Sequence, residues 1–226
     1  MKLFELLIAL GLVAVVFSFA TPRSNHSLET AHSALLSHLK ILQLTALSDD
    51  NALLQLQDAK DIAQAYPAID TQSLVGNHHN AMWQMQFHLG KVYTTHSVSL
   101  YIDTPRHSHS TDFDNRPMAA DIILKNMDRK CLSGYNNNNT ATECKDNADM
   151  QTRLGERFGI DEVILESDSF CKERESGRIY FDRFGAPYCG KVPTALQSVF
   201  KITLRKQNAT KSICILPHSG LISPQC

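Results

Sequence analysis

A single carboxylate in an apolar run is the first feature of the chain with chemical consequences. Between Leu3 and Ala20 only Glu5 resists a hydrocarbon environment. A carboxylate at membrane depth costs roughly 2.5 to 3.5 kcal/mol on insertion scales, so it requires a partner. The position of Glu5 therefore predicts that this side chain has a specific role.

A second group of side chains has the chemistry of metal ligands. The polar stretch Arg106–Arg116 lacks periodicity, which predicts a loop. Within it lie four residues that could bind zinc or a similar ion: His107, His109, Asp112 and Asp114. Serine and threonine fill the gaps between them, as in ordinary polar loops. We therefore expect a solvated loop, with no metal and no cofactor.

Catalytic motifs are missing from the sequence. The chain has no G-x-S-x-G elbow, no P-loop, no G-x-G-x-x-G and no H-E-x-x-H. Oxygen-rich residues such as Asp146 to Asp149 could bind calcium, but they form no EF-hand pattern. The sequence therefore predicts a protein that is not an enzyme.

The cysteines indicate an oxidising compartment. All six lie in the second half of the chain, and none forms a C-x-x-C pair. Pairing along the chain would close three short loops, namely Cys131 with Cys144, Cys171 with Cys189, and Cys214 with Cys226. Six cysteines allow fifteen connectivities, and the sequence does not choose among them.

Composition describes one globular domain with an apolar appendage. The chain has 226 residues, of which 43% are hydrophobic and 20% charged, and its formal net charge is −1. Such a length supports one sizeable core. Because acidic and basic residues are interspersed, no broad cationic face argues for nucleic acid or anionic lipid as an obligatory partner.

The apolar appendage is long enough to cross a membrane. Eighteen residues from Leu3 to Ala20 would form a helix of about 27 Å. A cleaved signal peptide is an alternative, because Ser18-Phe19-Ala20 before Thr21 forms a small-x-small site. A plain signal anchor is another. Glu5 argues against both, since neither class calls for an acid at the start of the apolar run.

The same segment resembles the N-terminal helix of type IV pilins and of type II secretion pseudopilins. Mature chains of that family begin with phenylalanine or methionine and carry glutamate at the fifth place and proline at the twenty-second. Met1, Glu5 and Pro22 occupy these places without a gap. An amphipathic continuation follows, as in the family. These specific positions cover the first 23 residues.

The resemblance implies a role for Glu5 in filament assembly. In that family the glutamate neutralises the free α-amine of a neighbouring subunit's first residue, here Met1. An acid in lipid is tolerated when it pairs with a cation from another helix. The implied partners are other pilins or pseudopilins, bound through the N-terminal helix, the inner-membrane assembly platform, and a prepilin peptidase if a leader precedes Met1.

The resemblance also implies a location. It predicts a single-pass protein of the bacterial inner membrane, with its head in the periplasm, that is extracted into a periplasmic filament. Its setting would be type II secretion, a type IV pilus or DNA uptake, among which no residue decides. A periplasmic binding protein or enzyme with a cleaved signal peptide is the alternative from another class.

Hydropathy patterns predict helices near the N-terminus and strands towards the C-terminus. Apolar residues recur at helical spacing as far as Asp49-Asp50-Asn51, namely Leu28, Ala31, Leu35, Leu39, Leu42 and Ala46. A weaker helical pattern covers Ala52 to Ala65. Residues 82–89 alternate as in a half-buried strand, and a second strand over 92–103 would complete a hairpin.

The second half of the chain is predicted to be mainly β. Met118–Met127 has the pattern of a short helix, and the asparagine-rich stretch from Cys131 to Cys144 that of a loop, whose four successive asparagines are not expected to pack. Three strand-like runs follow, in "GRIYFDRFGAPYC" and "FKITLRKQNATKSICILPHSGLIS", with Gly185 and Gln207-Asn208 at turns. They predict an antiparallel meander.

These elements predict an α+β fold in which a long N-terminal helix, half membrane-spanning and half amphipathic, packs on an antiparallel sheet as in pilins. Residues 1–21 would form the membrane and filament-core helix, 22–50 the amphipathic helix, and 51–226 a disulfide-bonded, β-rich periplasmic head. The run from "FDRFGAP" to "SGLIS" resembles the closing sheet of H-type minor pseudopilins. "LKILQLTALSDDN" with "MWQMQFH" resembles pilin-like secretion proteins of the epsilon-proteobacteria.

Overall fold

The chain folds as an α+β protein with two antiparallel sheets. The computed structural model describes residues 24–48, 82–90, 94, 96–103, 115–119 and 121–226. Its first described element is the helix α1 (Ser24–Ser48). The predicted helices at residues 1–21 and Ala52–Ala65 lie outside the described residues.

Helix α1 is amphipathic, and its apolar stripe faces both sheets. The six residues predicted to form the stripe are all at most 3% exposed: Leu28, Ala31, Leu35, Leu39, Leu42 and Ala46. Their spacing places them on one side of a helix of 3.6 residues per turn. This side packs against the middle of the larger sheet and against three strands of the smaller one. The predicted amphipathic helix is therefore confirmed within Ser24–Ser48.

The larger sheet has six strands in the order β3-β2-β1-β5-β6-β7. They are β1 (Trp83–His88), β2 (Ser97–Ile102), β3 (Ile122–Ile123), β5 (Ser176–Phe181), β6 (Pro187–Cys189) and β7 (Thr194–Ala195). Strands β1 and β2 are antiparallel neighbours, as the hairpin pattern predicts. Strand β5 pairs with the other edge of β1, which places β1 near the centre of the sheet.

The smaller sheet has four strands in the order β10-β9-β8-β4. They are β4 (Glu162–Glu166), β8 (Phe200–Lys206), β9 (Ala209–Ile215) and β10 (Ile222–Ser223). Strands β8 and β9 are joined by a two-residue turn in which Gln207 has a φ of 54°. The predicted antiparallel meander is confirmed for β8, β9 and β10, but the first of the three predicted runs forms β5 and β6 and belongs to the larger sheet.

Short helices and three disulfides complete the described fold. The helices are α2 (Thr142–Asp146), α3 (Leu154–Phe158) and two 3₁₀ turns at Met150–Thr152 and Ser169–Cys171. The disulfides join neighbouring cysteines along the chain: Cys131–Cys144, Cys171–Cys189 and Cys214–Cys226. The structure thus has the local pairing among the fifteen that the sequence left open. A disulfide of this kind typically contributes about 2 to 4 kcal/mol.

Two predictions about local structure are wrong. The segment Met118–Met127, expected to be a helix, contains strand β3 and turns, because Ile122 and Ile123 pair with the edge of β2. Tertiary pairing overrides a weak helical pattern over so few residues. The asparagine run was expected not to pack, yet Asn137 is buried and its side chain donates to the Tyr135 hydroxyl at 3.1 Å.

The packing of α1 can be tested with one core substitution. We expect Leu39→Ala to lower the free energy of unfolding by about 3 kcal/mol, because it removes buried methyl groups and leaves a cavity between the helix and the sheets. The matched control is Leu44→Ala on the same helix, where the side chain is 61% exposed. It should change stability by less than about 0.5 kcal/mol. Urea unfolding of the full chain in detergent, followed by circular dichroism, measures both. Equal losses would contradict the packing described.

Candidate functional site

The register of the larger sheet gathers polar side chains on one face. Gln84, Gln86 and His88 point to this face from β1, because alternate residues of a strand share a side. Their partners across the sheet are also polar, and these are Tyr101, Ser99 and Ser97 on β2 and Tyr180, Arg178 and Ser176 on β5. We call this surface the polar face.

The loop that contains the Cys131–Cys144 disulfide pairs with the edge of β2 and sets Tyr135 against the polar face. Ser133 forms a backbone bridge with Ser99, and their hydroxyls lie 2.8 Å apart. The Tyr135 ring lies over His88 with 4.7 Å between ring centroids. Gln84, Gln86 and His88 are at most 7% exposed. Alternation of polar and apolar residues is typical of a strand with one solvated face, whereas here the polar side chains bond to one another and to the adjoining loops.

Arg178 lies at the centre of the polar face with only 4% of its surface exposed. Its guanidinium donates from Nη1 to Glu173 Oε2, which also accepts from Ser176 Oγ at 2.6 Å. From Nη2 it donates to the carbonyl of Asn115 at 2.7 Å. A charge is stable at such depth only when it is paired and hydrogen-bonded. Arg178 thus joins β5 to two loops.

Burial opposes the charge of Arg178, but nearby groups outweigh it. The Tyr101 and Tyr180 hydroxyls and the Glu173 carboxylate together raise the pKa of Arg178 above its ordinary value. Burial in turn raises the pKa of Tyr101 and of Tyr180. Tyr101 donates to Gln86 Oε1 at 2.8 Å and Tyr180 to the Gly190 carbonyl at 3.1 Å. Both phenols therefore remain protonated donors.

His88 is a buried, uncharged imidazole. Burial, together with the positive charge of Arg178, lowers the pKa of His88 to about 3. Its Nε2 lies 2.9 Å from Ser99 Oγ, which continues the chain of hydrogen bonds to Ser133. At neutral pH His88 therefore contributes hydrogen bonding and no charge.

A cavity of about 270 Å³ opens beside Arg178 on this face. It is lined by Gln86, His88, Gly90, Asn115, Arg116, Tyr135, Glu173, Glu175, Ser176, Arg178 and Lys191. Arg178 Nε and Glu173 Oε1 are buried and have no hydrogen-bond partner within the described part of the chain. The lining of the cavity includes both cationic donors and anionic acceptors, which suits binding of a small polar molecule.

Seven of the predicted site residues are outside the part of the chain that the structure describes. Met1, Glu5 and Pro22 are outside the described residues, as are the candidate metal ligands His107, His109, Asp112 and Asp114. Among residues 24–48, 82–90, 94, 96–103, 115–119 and 121–226, no group of three potential ligands is placed to hold a metal ion. In the proposed calcium loop, Asp149 caps a 3₁₀ turn by accepting from the Gln151 amide at 2.9 Å.

Sequence reasoning missed the site around Arg178. The only signal was the run of polar residues at every second position of β1, which the pattern equally assigns to a solvated face. Arg178 and its acceptor Asn115 are 63 residues apart. Their proximity depends on strand pairing that a single sequence does not specify.

Comparisons with known proteins give no assignment. No protein-family model, no curated protein and no solved structure matches the chain. Of the helices in the described residues, none combines the length and apolar character needed to cross a membrane. Any functional statement therefore rests on the residues and on their geometry.

Proposed function

We propose that this chain is a minor pseudopilin, a structural subunit of a filament of the type II secretion or type IV pilus class. The observation that carries the proposal is that the pilin-like apolar run is followed directly in the sequence by a helix that is packed into the head. The apolar run with Glu5 and Pro22 at the pilin places leads, after Arg23, straight into α1, whose apolar stripe is buried in the head.

This arrangement supports a head that is rigidly attached to the N-terminal segment through α1. Leu35 and Leu39 of α1 are fully buried against two sheets. A head fixed to its helix in this way would move with it when the helix enters a filament. The three disulfides cross-link the rest of the head, and none of them involves α1.

The proposed mechanism assigns the axial register to Glu5. In low dielectric the carboxylate attracts the Met1 amine of the adjacent subunit, while apolar side chains supply the association energy. In this role the protein remains in the bacterial inner membrane, with its head in the periplasm, until the assembly platform extracts it. Other pilins or pseudopilins contact it through the same helix.

The native N-terminus distinguishes this proposal from the alternative. Mass spectrometry of protein isolated from its own cells should find the apolar segment retained, with a free or methylated α-amine on Met1. A chain that begins at Thr21 would instead support a cleaved signal peptide, and with it a periplasmic binding protein or enzyme. Such a chain lacks Glu5 and would overturn the filament role.

Substitution of Glu5 tests the mechanism itself. We expect Glu5→Ala to leave the protein in the membrane but to reduce its incorporation into filaments by at least ~10-fold, because the Met1 amine of the neighbour loses its counter-charge. Leu6→Ala is the matched control, since it shortens an adjacent side chain without removing charge. Sheared filaments and membranes are compared by immunoblotting. Normal incorporation of Glu5→Ala would contradict the mechanism.

A further inference from the structure

The last two turns of α1 are apolar on their exposed side as well as on their buried side. Ile41, Leu44 and Leu47 are 40%, 61% and 47% exposed, although Leu42 and Ala46 of the same turns already pack into the head. Nearer the N-terminus the exposed positions of α1 are polar, namely Glu29, Thr30, Ser33, Ser37 and Lys40. A helix that is apolar all round is normally buried, so this end of α1 is expected to have a partner.

A well-ordered turn places an exposed aromatic ring at the same end of α1. Phe184, in the turn between β5 and β6, is 72% exposed. The Asp182 carboxylate accepts from the amides of Phe184 and Ala186 at 2.9 and 2.8 Å. Gln43 of α1 donates to the Gly185 carbonyl of this turn at 3.2 Å. The backbone that carries Phe184 is therefore fixed relative to α1.

These side chains belong to one surface. Leu47 connects the helix to the turn, because a β-carbon on Gly185 would lie 3.4 Å from Leu47 Cδ2. A cavity of about 420 Å³ lies beside the helix and is lined by Ile41, Leu44, Thr45, Ser48 and Trp83. It is large enough to receive an apolar side chain of a partner, as interface pockets commonly do. We call the exposed side chains of Ile41, Leu44, Leu47 and Phe184 the apolar patch.

The charges around the apolar patch are of both signs. Lys40 lies one helical turn before Leu44, and the Arg183 guanidinium carbon lies 4.6 Å from the centre of the Phe184 ring. His218 lies in the neighbouring turn before β10. Asp182 carries a negative charge, and Asp49-Asp50, outside the described residues, follow α1 directly. Because neither sign dominates, we expect hydrophobic contact to supply most of the association energy at this surface.

The size of the apolar patch limits the kind of partner that it can hold. Four partly exposed side chains present a few hundred Å², which is typical of a functional patch on a monomer. A stable complex of two free proteins buries about 800 Å² on each partner. A smaller contact suffices when another interface already holds the partner nearby, because the effective concentration is then high. The apolar run that precedes α1 is the segment for which we propose such an interface.

We infer that the apolar patch binds an apolar surface on the head of a neighbouring filament subunit, an inference that rests on the proposed function. The N-terminal segments hold the two subunits together, and the patch fixes the head of one subunit against its neighbour. Phe184 and Leu44 are the principal contacts, since they are the most exposed side chains of the patch. Large apolar side chains held on an ordered backbone lose little entropy on binding.

Photocrosslinking in cells that produce the full chain tests the contact directly. A photoreactive amino acid replaces Leu44, the cells are irradiated, and the cross-linked products from sheared filaments are identified by mass spectrometry. We expect a product that joins position 44 to another pilin or pseudopilin. Products confined to the same chain, such as a link to residues 49–81, would overturn the inference, as would the absence of any product that contains a second subunit.

Substitutions measure how much the apolar patch contributes to assembly. Leu44→Asp and Phe184→Asp each place a charge in the contact, and we expect each to reduce incorporation into filaments at least ~10-fold. Leu221→Asp is the matched control, because Leu221 is 59% exposed and lines a different cavity, beside Cys214. It should be incorporated normally. Normal incorporation of both patch variants, in cells where Glu5→Ala is excluded, would overturn this inference and leave the proposed function standing.

Unfolding of the purified chains separates an effect on assembly from an effect on folding. Leu44→Asp, Phe184→Asp and Leu221→Asp should unfold in detergent at nearly the same urea concentration as the wild type, since all three positions are exposed. A loss for the patch variants as large as that of Leu39→Ala would show that the patch packs within its own chain and would refute the inference. A native chain that begins at Thr21 would refute both the inference and the proposed function.

Discussion

Acidification from pH 7 to pH 4 is expected to cost the wild-type protein about 3 kcal/mol more stability than it costs a His88→Gln variant. The pKa of His88 is about 3 in the folded protein, against an ordinary value of 6.5. Between these values the unfolded chain binds a proton that the folded chain lacks. Stability therefore falls as the pH drops below about 6.5 and continues to fall until about pH 3, by roughly 4 to 5 kcal/mol in total.

Other groups change stability in the same direction, so the comparison between variants is what isolates His88. Burial lowers the pKa of His38, which also favours the unfolded chain in acid. The pKa of Glu29 is lowered by its hydrogen bond and ion pair with Lys211, and such carboxylates likewise lose stabilisation in acid. These contributions are common to the wild type and to His88→Gln and cancel in the difference.

The measurement is a set of urea titrations at pH 7, 6, 5 and 4 for three proteins. His88→Gln keeps a polar side chain beside Ser99 but cannot become charged. His26→Gln is the control, because His26 is an exposed histidine on α1. Wild type and His26→Gln should lose stability in parallel, while His88→Gln loses less. If all three proteins lose the same amount, the imidazole of His88 does not titrate as its burial requires.

The elements that could be predicted from the sequence are those whose pattern has one physical interpretation. The apolar stripe of α1 recurs at helical spacing and can be buried only on one side. The turns at Gly185 and Gln207-Asn208 interrupt runs of strand-forming residues. Gly185 has a φ of 77°, which glycine adopts without strain. These signals are local, and the structure retains them.

The polar face could not be predicted because its pattern has two interpretations. Gln84, Gln86 and His88 alternate with apolar residues whether their side is solvated or covered by a hydrogen-bonding loop. Only the fold brings Ser133 to the edge of that side and Tyr135 against His88. The two sheets pose the same problem, since "GRIYFDRFGAPYC" and the C-terminal meander look alike in sequence but enter separate sheets. Long-range pairing decides both cases.

Removal of the guanidinium at the centre of the polar face should be the most damaging single change there. We expect Arg178→Ala to lower the free energy of unfolding by about 3 to 5 kcal/mol, because it leaves the Glu173 carboxylate buried without its counter-charge. Only 11% of the Glu173 side chain is exposed, so its carboxylate is poorly solvated once the guanidinium is gone. The Asn115 carbonyl also loses a donor. Chemical denaturation of the full chain measures the loss.

An exposed ion pair serves as the control, because it shows whether the predicted loss of stability depends on the burial of Arg178. Lys201 and Glu166 lie 3.0 Å apart, and their side chains are 40% and 57% exposed. Water already solvates both charges there, and exposed pairs contribute little to stability. Lys201→Ala should therefore cost less than about 1 kcal/mol. Similar losses for Arg178→Ala and Lys201→Ala would mean that the charge of Arg178 is solvated as well as that of Lys201.

A double substitution separates the ion pair from the packing of the arginine stem. If the main cost of Arg178→Ala is an uncompensated carboxylate, then adding Glu173→Gln removes that charge and should restore about 1 to 3 kcal/mol. The glutamine amide can still accept from Ser176, so the local turn is preserved. If instead the loss arises from the missing aliphatic stem, the second substitution restores nothing. Restoration would show that the stability of this face depends on matched charge.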